Sequence, residues 1–249
     1  MWPSLALAVA VPALQQAAAH AHGCSMGHHG GILLRHGATL HALPSCSRRA
    51  SVSLCTQETE RGNADGHGVL ETLYSVLRPS MDRLDSITGG FAMTFTDTAP
   101  WGPMTPPGAA FLSTNIWYSL AGGAVLQTGN VVLGLILEAA AAASFWYHYE
   151  QLLCGERRAS AADVQLALLV DYVFAFAGMG MGAAGTLQLF LDTAELPAQL
   201  LSLQAFALGC ILLSWARDES RWYLWWHSLW HIASAMAATQ VCIVTAGLS

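Results

Sequence analysis

Long apolar runs dominate the second half of the chain, whereas the first hundred residues contain few. A membrane-spanning helix needs roughly 20 apolar residues to cross a hydrocarbon layer of ~30 Å. Five runs of about this length follow residue 108. They predict an all-α fold, a multi-pass transmembrane bundle of about five helices. The runs are Ala109 to Leu126, Val131 to Leu153, Val164 to Leu191, Leu196 to Trp215 and Tyr223 to Ala246.

The region before these runs has a different character. Residues 23–106 mix Gly, Ser, His and Pro, and this composition is typical of a largely disordered N-terminal region. Only Val69 to Leu77 predicts a short helix, which should end before Pro79. The Pro-rich stretch APWGPMTPPG marks the boundary with a transmembrane domain over residues 107–249.

The first 22 residues allow two interpretations. Their short apolar run, followed by small residues, resembles a signal peptide, although the usual positive start is missing. The alternative is an Ala-rich disordered start. The charged linkers contradict a cleaved signal peptide, so either the signal peptide or the five-span topology is wrong. Five spans place Arg157 and Arg158 on the same side as Arg217 and Arg221. The positive-inside bias makes that side cytosolic, together with the N-terminal region.

Composition excludes two broad classes. Of the 249 residues 54% are apolar and only 10% are charged, too few to coat a water-soluble globule of this size. The ten basic residues are all Arg and the net charge is -6, so the chain offers no basic face for a nucleic-acid backbone. The sequence predicts an integral membrane protein for which nucleic acid is not the main partner.

Ionisable groups inside membrane spans are costly and therefore mark candidate functional sites. The second run ends with Ser144 and His148, and the last begins with His227 and His231; each pair has i, i+4 spacing and shares one helix face. Asp171 lies inside the third run.

All five residues lie toward one side of the bilayer by their positions in the runs. Three His at one depth can bind zinc and leave a position open for water, as in catalytic zinc sites. Asp171 can then act as base or orient a ligand, and Ser144 can donate to an oxyanion. The simpler structural alternatives are a packed His bonded to a backbone carbonyl and a Ser that permits close helix packing.

These residues carry a resemblance to a family. The segments AAASFWYHYEQLLC and ARDESRWYLWWHSLWHIASA, with Asp171 between them, are similar to the pattern of the CREST membrane hydrolases. That group includes alkaline ceramidases, progestin and adiponectin receptors, and the transmembrane protein 8 and myomaker family, which the chain resembles most.

The resemblance covers roughly residues 110–246 and implies a seven-span fold. It implies zinc held by His148, His227 and His231, with Ser144 and Asp171 nearby, and hydrolysis of an amide or ester bond in a membrane lipid. The chain departs from this pattern in one respect. Only 56 residues separate Asp171 from His227, room for one span where the family has three.

Three other functions stay open at this point. The first is a non-enzymatic membrane receptor or fusion-type protein of the same family, and the second is a truncated, inactive relative. The third is a metal carrier, because His and Cys cluster near the N-terminus, although their spacing fits no defined metal motif. That cluster consists of His20, His22, Cys24, His28 and His29.

Two further patterns have simple structural interpretations. The aromatic series at the start of the last run predicts an interfacial belt. The Gly residues from Gly178 to Gly185 predict close helix packing or a bend, and not a phosphate loop, because no Lys-Ser/Thr follows them. The aromatic series consists of Trp222, Tyr223, Trp225, Trp226 and Trp230.

Overall fold

A computed structural model describes residues 68–89, 92–216 and 219–247. Within these residues the chain forms α-helices and no strands, as predicted. The possible signal peptide, most of the low-structure region and the N-terminal His and Cys cluster lie outside the described residues. The helices are α1 Gly68–Ile87, α2 Pro106–Ser113, α3 Ile116–Gln127, α4 Val131–Gly155, α5 Ala161–Thr193, α6 Ala198–Ala216 and α7 Ser220–Ala246.

Four of the described helices, α4 to α7, are long and apolar enough to cross a membrane. They correspond to the last four predicted spans. The structure differs from the prediction at the first run, which is divided into α2 and α3. The division falls at Thr114 and Asn115, whose backbone N–H groups donate to the carbonyls of Phe111 and Leu112.

These bonds reach back three residues and not four, so the two helices are joined by a tighter 3₁₀-type turn. Side chains reinforce the turn. The Thr114 hydroxyl donates to the Phe111 carbonyl at 2.6 Å, and the Asn115 amide donates to the Leu112 carbonyl at 3.0 Å. Polar side chains that bond nearby carbonyls compete with the α-helical pattern, which accounts for the interruption.

Helix α1 is longer than the sequence predicts, because it continues through Pro79 to Ile87. A proline inside a helix removes one backbone hydrogen bond and costs about 3 kcal/mol. Apolar residues on both sides of Pro79 offset this cost. Leu77 and Met81 pack in one cluster with Leu169 and Tyr172 of α5, so tertiary contacts hold the helix together across the proline.

Residues 92–105, here called the 92–105 segment, connect α1 to the bundle. Phe95 packs in a cluster with Tyr147 of α4 and Val164 of α5. Further along, the Ala99 carbonyl accepts a hydrogen bond from Ser220 at the start of α7. The segment thus contacts the end of the bundle where α4 ends and α5 and α7 begin. Arg157 and Arg158, which follow α4, and Arg221, in the first turn of α7, lie at this end.

The glycines of α5 differ in their surroundings. A Cβ added at Gly185 would lie 2.8 Å from Val241 Cγ1 of α7, whereas one at Gly180 or Gly182 would meet nothing within 4 Å. The predicted close packing is therefore confirmed at Gly185. The α5 helix runs unbroken from Ala161 to Thr193, so the glycines do not interrupt it.

Candidate metal site

Two helices bring the three histidines of the transmembrane domain together. His148 lies seven residues before the end of α4, while His227 and His231 lie in the first half of α7, one turn apart. Their ring centroids form a nearly equilateral triangle, with separations of 4.8, 5.0 and 4.8 Å. All three are buried. The sequence predicted this cluster, and its ligand atoms lie within 4.8 Å of one another.

The hydrogen bonds of His148 fix its tautomer. Gln151 lies one turn further along α4, and its Nε2 donates to the Thr96 carbonyl at 2.9 Å, which orients the amide. The Gln151 Oε1 therefore accepts a hydrogen bond from His148 Nδ1 at 3.0 Å. Because Nδ1 carries the proton, Nε2 of the neutral ring presents a lone pair.

A hydroxyl group fixes the tautomer of His231 in the same way. Its Nδ1 lies 2.8 Å from Thr114 Oγ1. The single hydroxyl proton of Thr114 is donated to the Phe111 carbonyl at 2.6 Å, so Thr114 can only accept from the ring. His231 thus carries its proton on Nδ1, and its Nε2 also presents a lone pair.

His227 repeats the pattern with a serine from α6. The Ser214 hydroxyl donates to the Ile211 carbonyl at 2.7 Å and lies 3.4 Å from His227 Nδ1. The hydroxyl proton is again in use, so Ser214 accepts from Nδ1. Each imidazole therefore has its own acceptor on the outer side: Gln151 in α4, Thr114 between α2 and α3, and Ser214 in α6.

Two imidazole nitrogens with lone pairs face one another in the site. His148 Nε2 and His231 Nε2 lie 3.2 Å apart, and neither carries a proton once both Nδ1 atoms are protonated. A cation between these two buried nitrogens would accept both lone pairs. The arrangement is what a metal-binding site requires, since ligating His residues donate their other N–H to a polar partner.

Ser144 and Asp171 lie beside this group. Ser144, one turn before His148 on α4, is buried, and its Oγ is 3.4 Å from His231 Nε2. The Asp171 side chain of α5 lies close to the Ser144 side chain. The structure thus brings the five predicted residues into one continuous group, with Ser144 between the imidazoles and the carboxylate.

Several site residues were not found by sequence reasoning. Phe111 is buried, and its ring centroid lies 4.5 Å from that of His148 and 5.8 Å from that of His231. Tyr223 was assigned to the interfacial belt, but it is buried and its hydroxyl donates to Gln151 Oε1 at 3.3 Å. The belt assignment is therefore wrong for Tyr223. The i, i+3 spacing of His148 and Gln151 was the one available signal.

The 92–105 segment also contributes to the site. Thr98 is fully buried, and its hydroxyl donates to the Gln151 backbone carbonyl at 3.2 Å. Together with the bond from the Gln151 side chain to the Thr96 carbonyl, this contact fixes Gln151 from two directions. A stretch that the sequence predicts to have little structure thus positions the group that orients His148.

The chain matches no known protein-family model, and no curated protein or solved structure shows significant similarity to it. What is known of its class therefore comes from the fold and the site. The four long apolar helices indicate an integral membrane protein. Its buried His148, His227 and His231 can together hold a metal ion.

Proposed function

We propose that the chain is a zinc-dependent hydrolase that cleaves an amide or ester bond of a membrane lipid. The observation that carries the proposal is the outward orientation of all three Nδ1–H groups, which leaves three imidazole Nε2 atoms for one cation. Three neutral nitrogen donors without a thiolate or a carboxylate in the ligand group are typical of catalytic zinc.

The spacing of the donors supports zinc. Zn–N bonds of 2.0–2.1 Å in a tetrahedral arrangement separate neighbouring nitrogens by about 3.3 Å. The observed separation of His148 Nε2 and His231 Nε2 is 3.2 Å. His148, His227 and His231 would hold the ion, which supplies Lewis-acid polarisation of a carbonyl and activation of water when bound.

The other residues have distinct parts in this proposal. Asp171 would take a proton from the attacking water, since its carboxylate lies close to Ser144, which is next to His231. Ser144 would donate its hydroxyl to the oxygen on which negative charge develops. The sequence resemblance to the transmembrane protein 8 and myomaker family implies zinc at the same three histidines, with Ser144 and Asp171 near the metal. A membrane lipid is the proposed substrate because the group lies within membrane-spanning helices.

Zinc content and lipid turnover of the full chain test the proposal. We expect one site zinc per chain in purified protein, lost in the His227→Ala/His231→Ala double variant. Because metal bound elsewhere would remain, the difference between the two proteins measures the site. Turnover of ceramide or phospholipid would disappear with the metal in this variant.

Two outcomes would argue against the proposal. A double variant that keeps both zinc and turnover would show that His227 and His231 are needed neither for metal binding nor for lipid cleavage. Wild-type protein that holds zinc but cleaves no amide or ester lipid would instead favour the receptor or inactive alternative, in which the ion only stabilises the bundle.

A further inference from the structure

We propose that α1 is an interfacial helix that inserts one apolar face into the lipid bilayer beside α5. The inference rests on a stripe of exposed apolar residues that residues 68–89, 92–216 and 219–247 do not cover. Leu73, Val76, Leu84 and Ile87 are exposed by 41%, 68%, 37% and 74%. At 3.6 residues per turn, these four positions fall within an arc of about 80°, which also contains the small exposed Ser80.

The other faces of α1 are already assigned by contacts. Tyr74, Leu77 and Met81 pack with Leu169 and Tyr172 of α5, and this packed side lies about 90° from the centre of the stripe by helical geometry. Arg78 and Asp82 form an exposed ion pair with N and O atoms 3.8 Å apart. They lie about 160° from the centre of the stripe, on the opposite side.

The depth in the membrane at which α1 contacts α5 indicates that lipid lies against the stripe. The polar start of α5 ends with a capping box of Ser160 and Asp163. Leu169 lies six residues further along, about 9 Å deeper by a rise of 1.5 Å per residue. Interfacial helices bury their apolar faces ~5–10 Å into the boundary between headgroups and acyl chains. A helix packed at the level of Leu169 therefore has lipid beside it.

Composition distinguishes this helix from a further span. It carries the charged residues Glu71, Arg78, Asp82, Arg83 and Asp85 over its 20 residues, far more than a span tolerates. Strong amphipathicity with low overall hydrophobicity is characteristic of helices that lie in the membrane surface. The three faces thus have three environments: α5, the acyl chains and water.

Site-specific photocrosslinking of the full chain in phospholipid nanodiscs tests this inference. The photoreactive residue p-benzoylphenylalanine would replace Val76 or Ile87 in the stripe and, as controls, Arg78 or Asp82. The controls are matched in exposure, because Arg78 and Asp82 side chains are 65% and 72% exposed. After irradiation, we expect the intact mass to rise by one phospholipid at positions 76 and 87 but not at 78 and 82.

Each other outcome would overturn the inference and identify a different occupant. A crosslinked dimer would show that a second copy covers the stripe, and a link to residues 1–67 would show that the chain covers it itself. The absence of any adduct at positions 76 and 87, or equal lipid adducts at all four positions, would show that the stripe has no special contact with lipid. The readout requires neither zinc nor turnover and is independent of the proposed hydrolase.

Discussion

His148 and His231 face each other through Nε2 atoms 3.2 Å apart, although the two residues are 83 positions apart in the sequence. Gln151 and Thr114 each accept the Nδ1 proton of one ring. Because both protons point outward, the facing nitrogens have only lone pairs between them. This relationship allows the facing nitrogens to bind a metal ion, and it gives the polar residues behind the rings a part in orienting them.

Removing the acceptor of His148 should weaken metal binding. In Gln151→Leu, His148 loses the partner that holds its tautomer, and the loss of such an outer contact typically lowers metal affinity by ~10–100-fold. Chelator competition on the purified protein would measure the change. Gln165→Leu is the matched control, because Gln165 also donates to a backbone carbonyl of the 92–105 segment, that of Met93, but lies in the start of α5. An equal loss in both variants would mean that Gln151 acts only through general stability.

The hydroxyl of Thr114 should matter through His231. Thr114→Val keeps the shape of the side chain but removes the Oγ1 that accepts from His231 Nδ1, and we expect a similar ~10–100-fold loss of metal affinity. Thr114→Ser should restore binding, since it returns the hydroxyl. The d–d absorption spectrum of the Co²⁺-substituted protein reports the ligand set directly. Failure of the serine variant to recover the wild-type spectrum would contradict the assigned tautomer.

Metal binding and turnover should separate at Ser144 and Asp171. Asp171→Asn retains the three imidazoles but removes the proposed base, and loss of a general base lowers rates by ~10²–10⁴-fold. Ser144→Ala removes the proposed oxyanion donor, whose loss costs ~10²–10³-fold in kcat. Zinc content and lipid turnover would be measured on the same preparations. Variants that lose zinc and activity together would show that these two residues support the fold of the site.

Close packing of α5 on α7 should be sensitive to one glycine. Gly185→Ala places a Cβ against Val241, a stiff β-branched side chain, and overpacking of this kind costs about 1–3 kcal/mol. Gly182→Ala is the matched control, because nothing lies within 4 Å of its Cβ position. Thermal unfolding of the two variants in the same detergent would compare them. The packing interpretation fails if Gly182→Ala is destabilised as much as Gly185→Ala.

The apolar runs predicted α4 to α7 because a membrane span leaves a direct record in the sequence. Each span needs about 20 predominantly apolar residues to cross the hydrocarbon layer, so its length follows from the sequence without any knowledge of tertiary contacts. Prediction from the length of the apolar run failed at the first run, because Thr114 and Asn115 are compatible with a span as two isolated polar residues. Their side chains bond Phe111 and Leu112, which divides the run into α2 and α3.

The histidines could also be found from the sequence, since ionisable residues are rare inside spans and the i, i+4 spacing places His227 and His231 on one face. The acceptors Thr114 and Ser214 could not be found. Hydroxyl residues are common in spans and usually bond their own helix. Only the packing of α7 against neighbouring helices shows that these two also receive an imidazole proton.

The sequence by itself determined the helical membrane class and the residues that make up the candidate site, because both follow from local composition and spacing. The tertiary structure decided how the site is completed. It placed Gln151, Thr114 and Ser214 behind the three rings, joined the 92–105 segment to Gln151, and left one apolar stripe of α1 uncovered. Such features depend on contacts between residues distant in the chain, and the geometry of those contacts cannot be inferred from the order of apolar and polar residues alone.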